Sequence, residues 1–268
     1  MKYNDSETLK LIKERKEDSS KGNFGLLLTL CGSENMTGAA YLSATAALRS
    51  GVGLLRFCAN RATLEKMQRV LFEPIFQPLE SISFEKATAF LCGCGIGRDY
   101  DDRLESILTS SPVPTIIDAD GINFIAMHKD VLGKLKNPII LTPHPGEMSR
   151  LIGSDIAFVQ SNRVNLASNF AKEHNLHLIL KGKDSVIACP NGDVFINTTG
   201  SSALAKGGSG DVLAGVIASL VAQGYEIESA CRLGVYIHGL AGDRLALRLG
   251  KSGVLPSDLP MEIGRILG

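Results

Sequence analysis

A glycine-rich segment at residues 206–213, KGGSGDVL, has the composition of an anion-binding site. Apolar residues recur with helical spacing after it, so its backbone N–H groups and the helix dipole would face one point. Such a point suits a phosphate or a transferring phosphoryl group, bound by Gly208, Ser209 and Gly210. Asp211 follows in the first turn, where it could accept a proton from a hydroxyl that attacks the phosphate. The alternative is a tight loop in which Asp211 only complements the helix dipole.

Four other polar or glycine-rich loops each follow an apolar run that is predicted to be a strand. They are the glycines Gly93, Gly95 and Gly97; the polar group Asp118, Asp120 and Asn123; the segment TPHPGE at 142–147; and KGKDS at 181–185. In open α/β sheets, ligands bind where the carboxyl ends of the strands meet. We therefore expect these loops and the start of the 206–213 helix to form one site.

Each of these loops allows a functional and a structural interpretation. The last of these loops consists of Lys181, Gly182, Lys183, Asp184 and Ser185 and offers two cations and a hydroxyl. These groups suit the phosphates or ribose of a nucleotide; alternatively, the segment is only a polar connection after a strand. His144 lies between two prolines and could orient a substrate, or be a solvated loop histidine. Asp118 and Asp120 could hold Mg²⁺ through water, but we assign no residue as a direct metal ligand.

The elements that position these loops are indicated by alternating apolar and helical stretches. Apolar runs at 24–31, 53–59, 87–92, 115–118, 138–142 and 176–180 predict buried strands, and 38–50 predicts a helix. This alternation is typical of a mostly parallel α/β sheet covered by helices. Residues 185–197, around Asn191-Gly192, predict an antiparallel hairpin at its edge. We expect one domain over residues 1–268, with residues 1–20 as a polar lead-in helix.

Composition excludes several functional classes. The 28 basic residues equal the 28 acidic ones, and there is no Trp, which argues against a nucleic-acid partner. The charged N-terminus has no apolar core of a signal peptide, and no apolar run approaches the ~18 residues of a membrane span. The six cysteines form no CxxC pair and are expected to be reduced thiols. A cytoplasmic protein is predicted.

Taken together, these motifs resemble the bacterial NAD(P)H-hydrate dehydratases. The resemblance runs in order from residue 21 to about 245, and its most specific motifs are TPHPGE and GGSGDVLAG. It implies a ribokinase-like fold, in which the central sheet is mostly parallel. It also implies repair of NADHX and NADPHX, the hydrated and inactive forms of NADH and NADPH. ADP, or ATP, would phosphorylate the ring hydroxyl in the presence of Mg²⁺, and loss of the phosphate would regenerate the coenzyme.

The resemblance also implies roles for particular residues. Residues 181–185 and Gly210 would contact the nucleotide. Asp211, His144, Gly95 and either Ala39 or Ala40 would contact the hydrate, with Asp211 as the base. Where many relatives have a GNPGMAT-like stretch, this chain has GSSALAK at 200–206, which would place the Lys206 cation beside the anion site and alter nucleotide preference.

Two other functions are consistent with the same residues. A small-molecule kinase of this fold would leave the phosphate on its product, whereas the dehydratase would release AMP and phosphate. A non-catalytic sensor of adenine nucleotides is disfavoured by Asp211, because a carboxylate beside phosphate does not help a pure binder. The expected partners are the hydrate and an adenine nucleotide, with a homo-oligomer as an open alternative.

Overall fold

One ten-stranded sheet forms the centre of the computed structural model, which describes residues 2–98 and 100–268. In chain order the strands are β1 (Lys2–Asn4), β2 (Leu26–Leu30), β3 (Leu54–Ala59), β4 (Ile75–Pro78), β5 (Ala89–Cys92), β6 (Thr115–Ile117), β7 (Ile139–Leu141), β8 (His177–Leu180), β9 (Val186–Ala188) and β10 (Val194–Asn197). Across the sheet the order is β1-β10-β9-β8-β7-β6-β5-β2-β3-β4. All pairings are parallel except those of β9, which runs antiparallel to both neighbours.

Helices cover both faces of this sheet. They are α1 (Thr37–Arg49), α2 (Arg61–Met67), α3 (Asp101–Ser110), α4 (Ala119–Met127), α5 (Pro145–Ile152), α6 (Ile156–Ser161), α7 (Arg163–Glu173), α8 (Ser209–Ala222), α9 (Ile227–Leu249) and α10 (Leu259–Leu267). Short 3₁₀ helices connect several of them. In the described part of the chain, no helix combines the length and the apolar character needed to cross a membrane.

Two hydrophobic cores, one on each face, explain why the central strands are apolar. Leu27 of β2 packs in the core that contains α1, α8, α9 and α10, whereas its neighbour Leu28 packs in the core beneath α3, α4, α5 and α7. This follows from the two-residue period of a strand, which turns successive side chains to opposite faces. The predicted strands at 24–31, 53–59, 87–92, 115–118, 138–142 and 176–180 are confirmed as β2, β3, β5, β6, β7 and β8.

The hairpin predicted at 185–197 is also confirmed, with β9 and β10 as its arms. Its turn places Gly192 in the left-handed region (φ 94°), which glycine adopts without steric cost. The hairpin was predicted at the edge of the sheet, but β1 pairs with β10 in parallel and forms that edge instead.

The prediction of a lead-in helix over residues 1–20 is therefore wrong. Its described residues, 2–20, contain β1 and a 3₁₀ helix at Ser6–Leu11 but no α-helix. The reason is tertiary: the open edge of β10 offers unpaired backbone groups, which outweigh a weak local helical preference. The Asn4 side chain is buried there and donates a hydrogen bond to Asn197 Oδ1 at 3.0 Å.

Candidate active site

The loops singled out from the sequence meet at one edge of the sheet. Strands β5, β6, β7 and β8 are parallel neighbours, so their carboxyl ends lie side by side. Backbone hydrogen bonds join the loops that follow: Asp120 N–H donates to Gly93 O at 3.2 Å, and Lys181 N–H donates to Pro143 O at 2.8 Å. The parallel topology thus brings together segments that are nearly 90 residues apart in the chain.

A pocket of about 810 Å³ opens between the loop at residues 181–185 and the start of α8. Residues 199–202 and 204–207 also line it. The predicted site residues that line it are His144, Lys181, Gly182, Lys183, Asp184, Ser185, Gly208, Ser209, Gly210 and Asp211. One cavity therefore contains the predicted nucleotide-binding residues and the predicted base, whereas Ala39, Ala40 and Gly95 are not among its lining residues.

The start of α8 has the geometry of an anion site. Gly208 is its N-cap, and its left-handed backbone (φ 102°) lets the chain turn sharply into the helix. Gly210 leaves space towards Lys181, since a Cβ at Gly210 would lie 3.2 Å from Lys181 Nζ. The partial positive charge of the helix terminus and a full ammonium charge thus act on the same small volume, which suits a phosphate group.

Asp211 extends from the first turn of α8 into this pocket and is half-buried. Burial raises the pKa of its carboxyl to about 6, and the negative charge of Asp118 adds to the rise. A hydrogen bond from Cys94 and the charge of Lys181 act in the opposite direction. A carboxylate with this pKa is mostly ionised at pH 7 and is a stronger base than an ordinary aspartate, so it can take a proton at neutral pH.

Lys181 is paired with a buried carboxylate. Its Nζ lies 2.6 Å from Asp118 Oδ1 and 3.7 Å from Glu147 Oε2, while the Thr142 hydroxyl donates to Asp118 Oδ1 at 2.7 Å. Burial lowers the pKa of Lys181, but the charges of Asp118 and Glu147 outweigh it, and the net shift is upward. Lys181 is therefore a permanent cation, held between the strand ends and the start of α8.

His144 forms the N-cap of α5. Its Nδ1 accepts hydrogen bonds from the backbone N–H groups of Gly146 at 3.0 Å and Glu147 at 3.3 Å, which leaves the ring proton on Nε2. That Nε2 lies 3.2 Å from Glu147 Oε1. Burial and the positive charges of Lys181 and Arg150 lower the pKa of His144, so the ring is neutral at pH 7. The ring is thus held by hydrogen bonds at the pocket, and 49% of the side chain is exposed.

Arg163 holds the loop at 181–185 in place, and sequence reasoning did not identify it. Its guanidinium donates hydrogen bonds to the backbone carbonyls of Leu180 at 3.0 Å, Lys181 at 3.2 Å and Asp184 at 3.4 Å. Asp184 has a left-handed backbone (φ 54°), which this clamp helps to maintain. Arg163 lies on α7, and no local motif marks it as a partner of a loop 18 residues away.

Gly95 and Ala39 lie against each other on the side of the site that faces α1. Gly95 has a left-handed backbone (φ 63°), and a Cβ there would lie 2.6 Å from the Ala39 Cβ. Ala40 is fully buried, and its Cβ is directed at Gly32. Ala39, rather than Ala40, therefore has its side chain on the face of α1 that is turned towards the site.

Lys206 lines the pocket of the anion site, but its ammonium is hydrogen-bonded to a neighbouring segment. Its ammonium donates hydrogen bonds to the backbone carbonyls of Ser252 at 2.7 Å and Val254 at 2.5 Å. These bonds tie the start of the glycine loop to the segment between α9 and α10. The lysine thus stabilises the loop rather than supplying a free cation to the anion site.

The residues around Asp211 do not fit direct ligation of Mg²⁺. Three side chains have ligand atoms within 4.8 Å of one another: Cys94, Asp118 and Asp211. A thiol is not a ligand that Mg²⁺ selects, and Asp118 is already paired with Lys181. The other carboxylate considered, Asp120, accepts a hydrogen bond from the backbone N–H of Gly97 at 2.9 Å. A magnesium ion would instead arrive bound to the phosphates of a nucleotide.

The sequence of this chain is similar to the sequences of NAD(P)H-hydrate dehydratases and repair enzymes. A sequence model of the NAD(P)H-hydrate dehydratase family matches residues 27–265. The bifunctional NAD(P)H-hydrate repair enzyme Nnr of Moorella thermoacetica is 37% identical over 270 residues, which cover 92% of this chain and 50% of that protein. The ADP-dependent (S)-NAD(P)H-hydrate dehydratase of Neisseria meningitidis is 34% identical over 257 residues, which cover 93% of this chain and 87% of that protein.

A solved structure extends the similarity to three dimensions. The ADP/ATP-dependent NAD(P)H-hydrate dehydratase of Bacillus subtilis, co-crystallised with ATP and Mg²⁺, superposes with a TM-score of 0.88 at 30% identity. The match covers 99% of this chain and 97% of that one. This chain spans about half the length of the bifunctional curated relatives it matches. The matched region, residues 27–265, contains every loop of the site described above.

Proposed function

The chain belongs to the NAD(P)H-hydrate dehydratase family, and from this membership we propose that it converts (6S)-NADHX and NADPHX back to NADH and NADPH with ADP as the phosphoryl donor. The ribokinase-like, mostly parallel fold that the sequence resemblance implied is confirmed. The proposed activity is that of a hydro-lyase that consumes a nucleotide, releasing AMP and phosphate.

The observation that carries this proposal is the position of Asp211. Its carboxylate stands in the first turn of the helix whose N-terminus, together with Lys181, forms the anion site. A base in that place can deprotonate a hydroxyl that attacks a phosphoryl group bound at the helix terminus. The pKa of about 6 for Asp211 keeps it ionised at neutral pH and basic enough to act.

The proposed chemistry has two steps. In the first, the hydroxyl oxygen on C6 of the hydrated ring attacks the β-phosphorus of ADP, its proton passes to Asp211, and AMP leaves. In the second, the C6–O bond breaks and phosphate departs with the bonding electrons, while C5 loses a proton and the C5=C6 double bond forms. Lys181 and the N-terminus of α8 stabilise the negative charge on the transferring group. Phosphate leaves far more readily than hydroxide, which is why a nucleotide is consumed.

Each substrate is assigned to one side of the site. We assign residues 181–185 and the glycine loop of Gly208, Ser209 and Gly210 to the nucleotide, because they line one pocket with the exposed Lys183, the Lys181 ammonium and backbone N–H groups. Mg²⁺ would enter with the nucleotide phosphates. We assign Ala39 and Gly95 to the hydrate, because they lie outside the nucleotide pocket on the α1 side. His144 and Asp211 line the nucleotide pocket itself, and we assign them to the hydrate because the family resemblance implies that contact.

Product analysis tests the proposal. Purified protein is incubated with enzymatically prepared NADHX, ADP and Mg²⁺, and NADH absorbance, AMP and free phosphate are followed together. We expect the three products to appear in equal amounts, with no reaction when either substrate is omitted. A stable phosphorylated product without NADH would instead identify a kinase, and nucleotide binding without any turnover would identify a sensor.

Replacing His144 by alanine should weaken the handling of the hydrate more than the binding of ADP. Loss of one hydrogen-bonding imidazole is expected to lower kcat/KM for NADHX by about 3–10-fold. Because His144 also caps α5, the alanine variant should lose about 1 kcal/mol of unfolding free energy. The matched control is His144→Ser, which can keep the cap but lacks the ring, and it should show the kinetic defect alone. An equal fall in ADP affinity, measured by calorimetry, would move His144 to the nucleotide side.

Two further expectations are proposals about the protein's setting. We propose a cytoplasmic location, because all six cysteines are free and buried, which suits a reducing compartment. A homo-oligomer stays a prediction, to be measured by light scattering of the purified protein.

A further inference from the structure

Cys94 lies close to two acidic residues of the site, Asp118 and Asp211. It follows β5 in the glycine loop at 93–97 and is fully buried. Its Sγ lies 3.8 Å from Asp118 Oδ2, within the range of a sulfur hydrogen bond, and the ligand atoms of Cys94, Asp118 and Asp211 all lie within 4.8 Å of one another. The thiol and the two carboxylates thus form one close group, and Cys94 has no exposed surface.

The thiol carries its proton in this environment. A hydrogen bond with Cys31, burial, and the negative charges of Asp211 and Asp118 all raise the pKa of Cys94 well above its ordinary value. A neutral thiol has one S–H proton to donate, and carboxylates are the acceptors beside it. The neighbouring Cys31 also lies 4.0 Å from the backbone oxygen of Leu91, to which its own S–H can donate.

We propose that Cys94 is a positioning residue of the proposed reaction: its S–H group, hydrogen-bonded to Asp118 and close to Asp211, keeps the Asp211 carboxylate unprotonated and directed at the pocket. Two carboxylates this close repel each other, and without the thiol the pair would take a proton from solvent more readily. The thiol supplies a fixed proton in place of that solvent proton. This inference rests on the proposed role of Asp211 as the base.

A thiol suits this task because it is a weak donor. A strong donor, such as a hydroxyl, would stabilise the carboxylate further and make it a poorer base. The groups that face Asp211 from the surrounding elements are Asp118 at the end of β6, Asp120 on α4, Lys181 after β8, and Cys94 after β5. Of these, Lys181 and Cys94 favour the ionised form, while Asp118 and Asp120 oppose it.

The test is a titration of Asp211 that needs no substrate. The side-chain carboxyl ¹³C resonance of Asp211 is followed from pH 4 to 9 in the ligand-free protein and is assigned by its loss in Asp211→Asn. In Cys94→Ala and Cys94→Val, which lack a donor but differ in volume, we expect the pKa of Asp211 to rise above about 6. In Cys94→Ser, the hydroxyl should restore it to the parental value or below. Cys92→Ala removes a buried thiol from the other core and should leave it unchanged.

Turnover of NADHX gives a second, independent readout. In Cys94→Ala, kcat at pH 6 should fall roughly 3–10-fold relative to the parent and approach the parental value at pH 8, because only the ionised fraction of the base changes. An unchanged titration of Asp211 in both donor-less variants, or opposite shifts in Cys94→Ala and Cys94→Val, would overturn the proposal in favour of packing. If the titration moves as expected and the parent does not act on NADHX, the role of Cys94 stands and the proposed substrate fails.

Discussion

Replacing Asp211 by asparagine is expected to lower turnover of NADHX by about 10²–10⁴-fold while leaving ADP binding intact or tighter. Asparagine has nearly the same shape, so the first turn of α8 and the anion site should survive. The variant loses the ability to accept the proton of the attacking hydroxyl. It also loses a negative charge beside the polyphosphate, which should ease repulsion in the ground state. NADH formation at saturating ADP and ADP affinity by calorimetry measure the two effects.

The matched control for this prediction is Asp184→Asn. Asp184 lines the same pocket but is exposed, and asparagine tolerates its left-handed backbone (φ 54°). This variant removes the same charge and should change ADP affinity without a large loss of kcat. Near-parental turnover in Asp211→Asn would exclude Asp211 as the base, and joint loss of ADP binding and turnover would make it a structural residue.

The pH dependence of turnover has the same origin. Asp211 must be ionised to accept a proton, and burial raises its pKa to about 6. Turnover should therefore be close to its full value at pH 7–8 and decline as the pH falls through 6. An ordinary exposed aspartate would keep its activity to about pH 4, so the position of the acid limb separates a buried base from an exposed one.

Much of the site could be predicted because parallel topology turns sequence order into spatial order. Each apolar run ends in a loop, and the loops of adjacent parallel strands must share one edge. That reasoning placed TPHPGE, KGKDS and the 206–213 segment together before any contact was known. The glycine spacing around Asp211 also indicated phosphate chemistry, since few other functions require several backbone N–H groups at a helix start.

Edge strands were the least predictable part of the fold. β1 contains Lys2 and Asn4, and nothing in its three residues distinguishes a strand from a polar terminus. β4 lies in a stretch interrupted by Pro74 and Pro78, and proline normally argues against a strand. Both segments are strands because each pairs with the open edge of a sheet that already exists, β1 with β10 and β4 with β3.

The partners within the site could not be predicted either, because they join distant positions. Lys181 and Asp118 are 63 residues apart, and both belonged to plausible ligand-binding motifs. Only the packed structure shows that they neutralise each other at 2.6 Å. Cys94 seemed a structural thiol for the same reason, since its proximity to the carboxylates depends on how the loop after β5 packs against β6 and α8.

The pairing of Lys181 leads to the last prediction: Lys181→Met should lower the free energy of unfolding by about 3–5 kcal/mol and reduce turnover by at least about 10²-fold. Methionine fills a similar volume but leaves Asp118, only 1% exposed, without its cation. It also removes the positive charge that lowers the pKa of Asp211 and that would stabilise the transferring phosphoryl group.

Urea denaturation followed by circular dichroism measures the stability change, and Lys183→Met is the matched control. Lys183 lies in the same loop but is exposed, so its removal should cost less than about 1 kcal/mol.

The double variant Lys181→Met with Asp118→Asn tests the cause. Because it removes the stranded charge as well, it should regain most of the lost stability but none of the turnover. If Lys181→Met is as stable as the parent, the buried Asp118 carboxylate takes up a proton instead of remaining charged. If the double variant is no more stable than the single one, the lysine acts by packing rather than by charge.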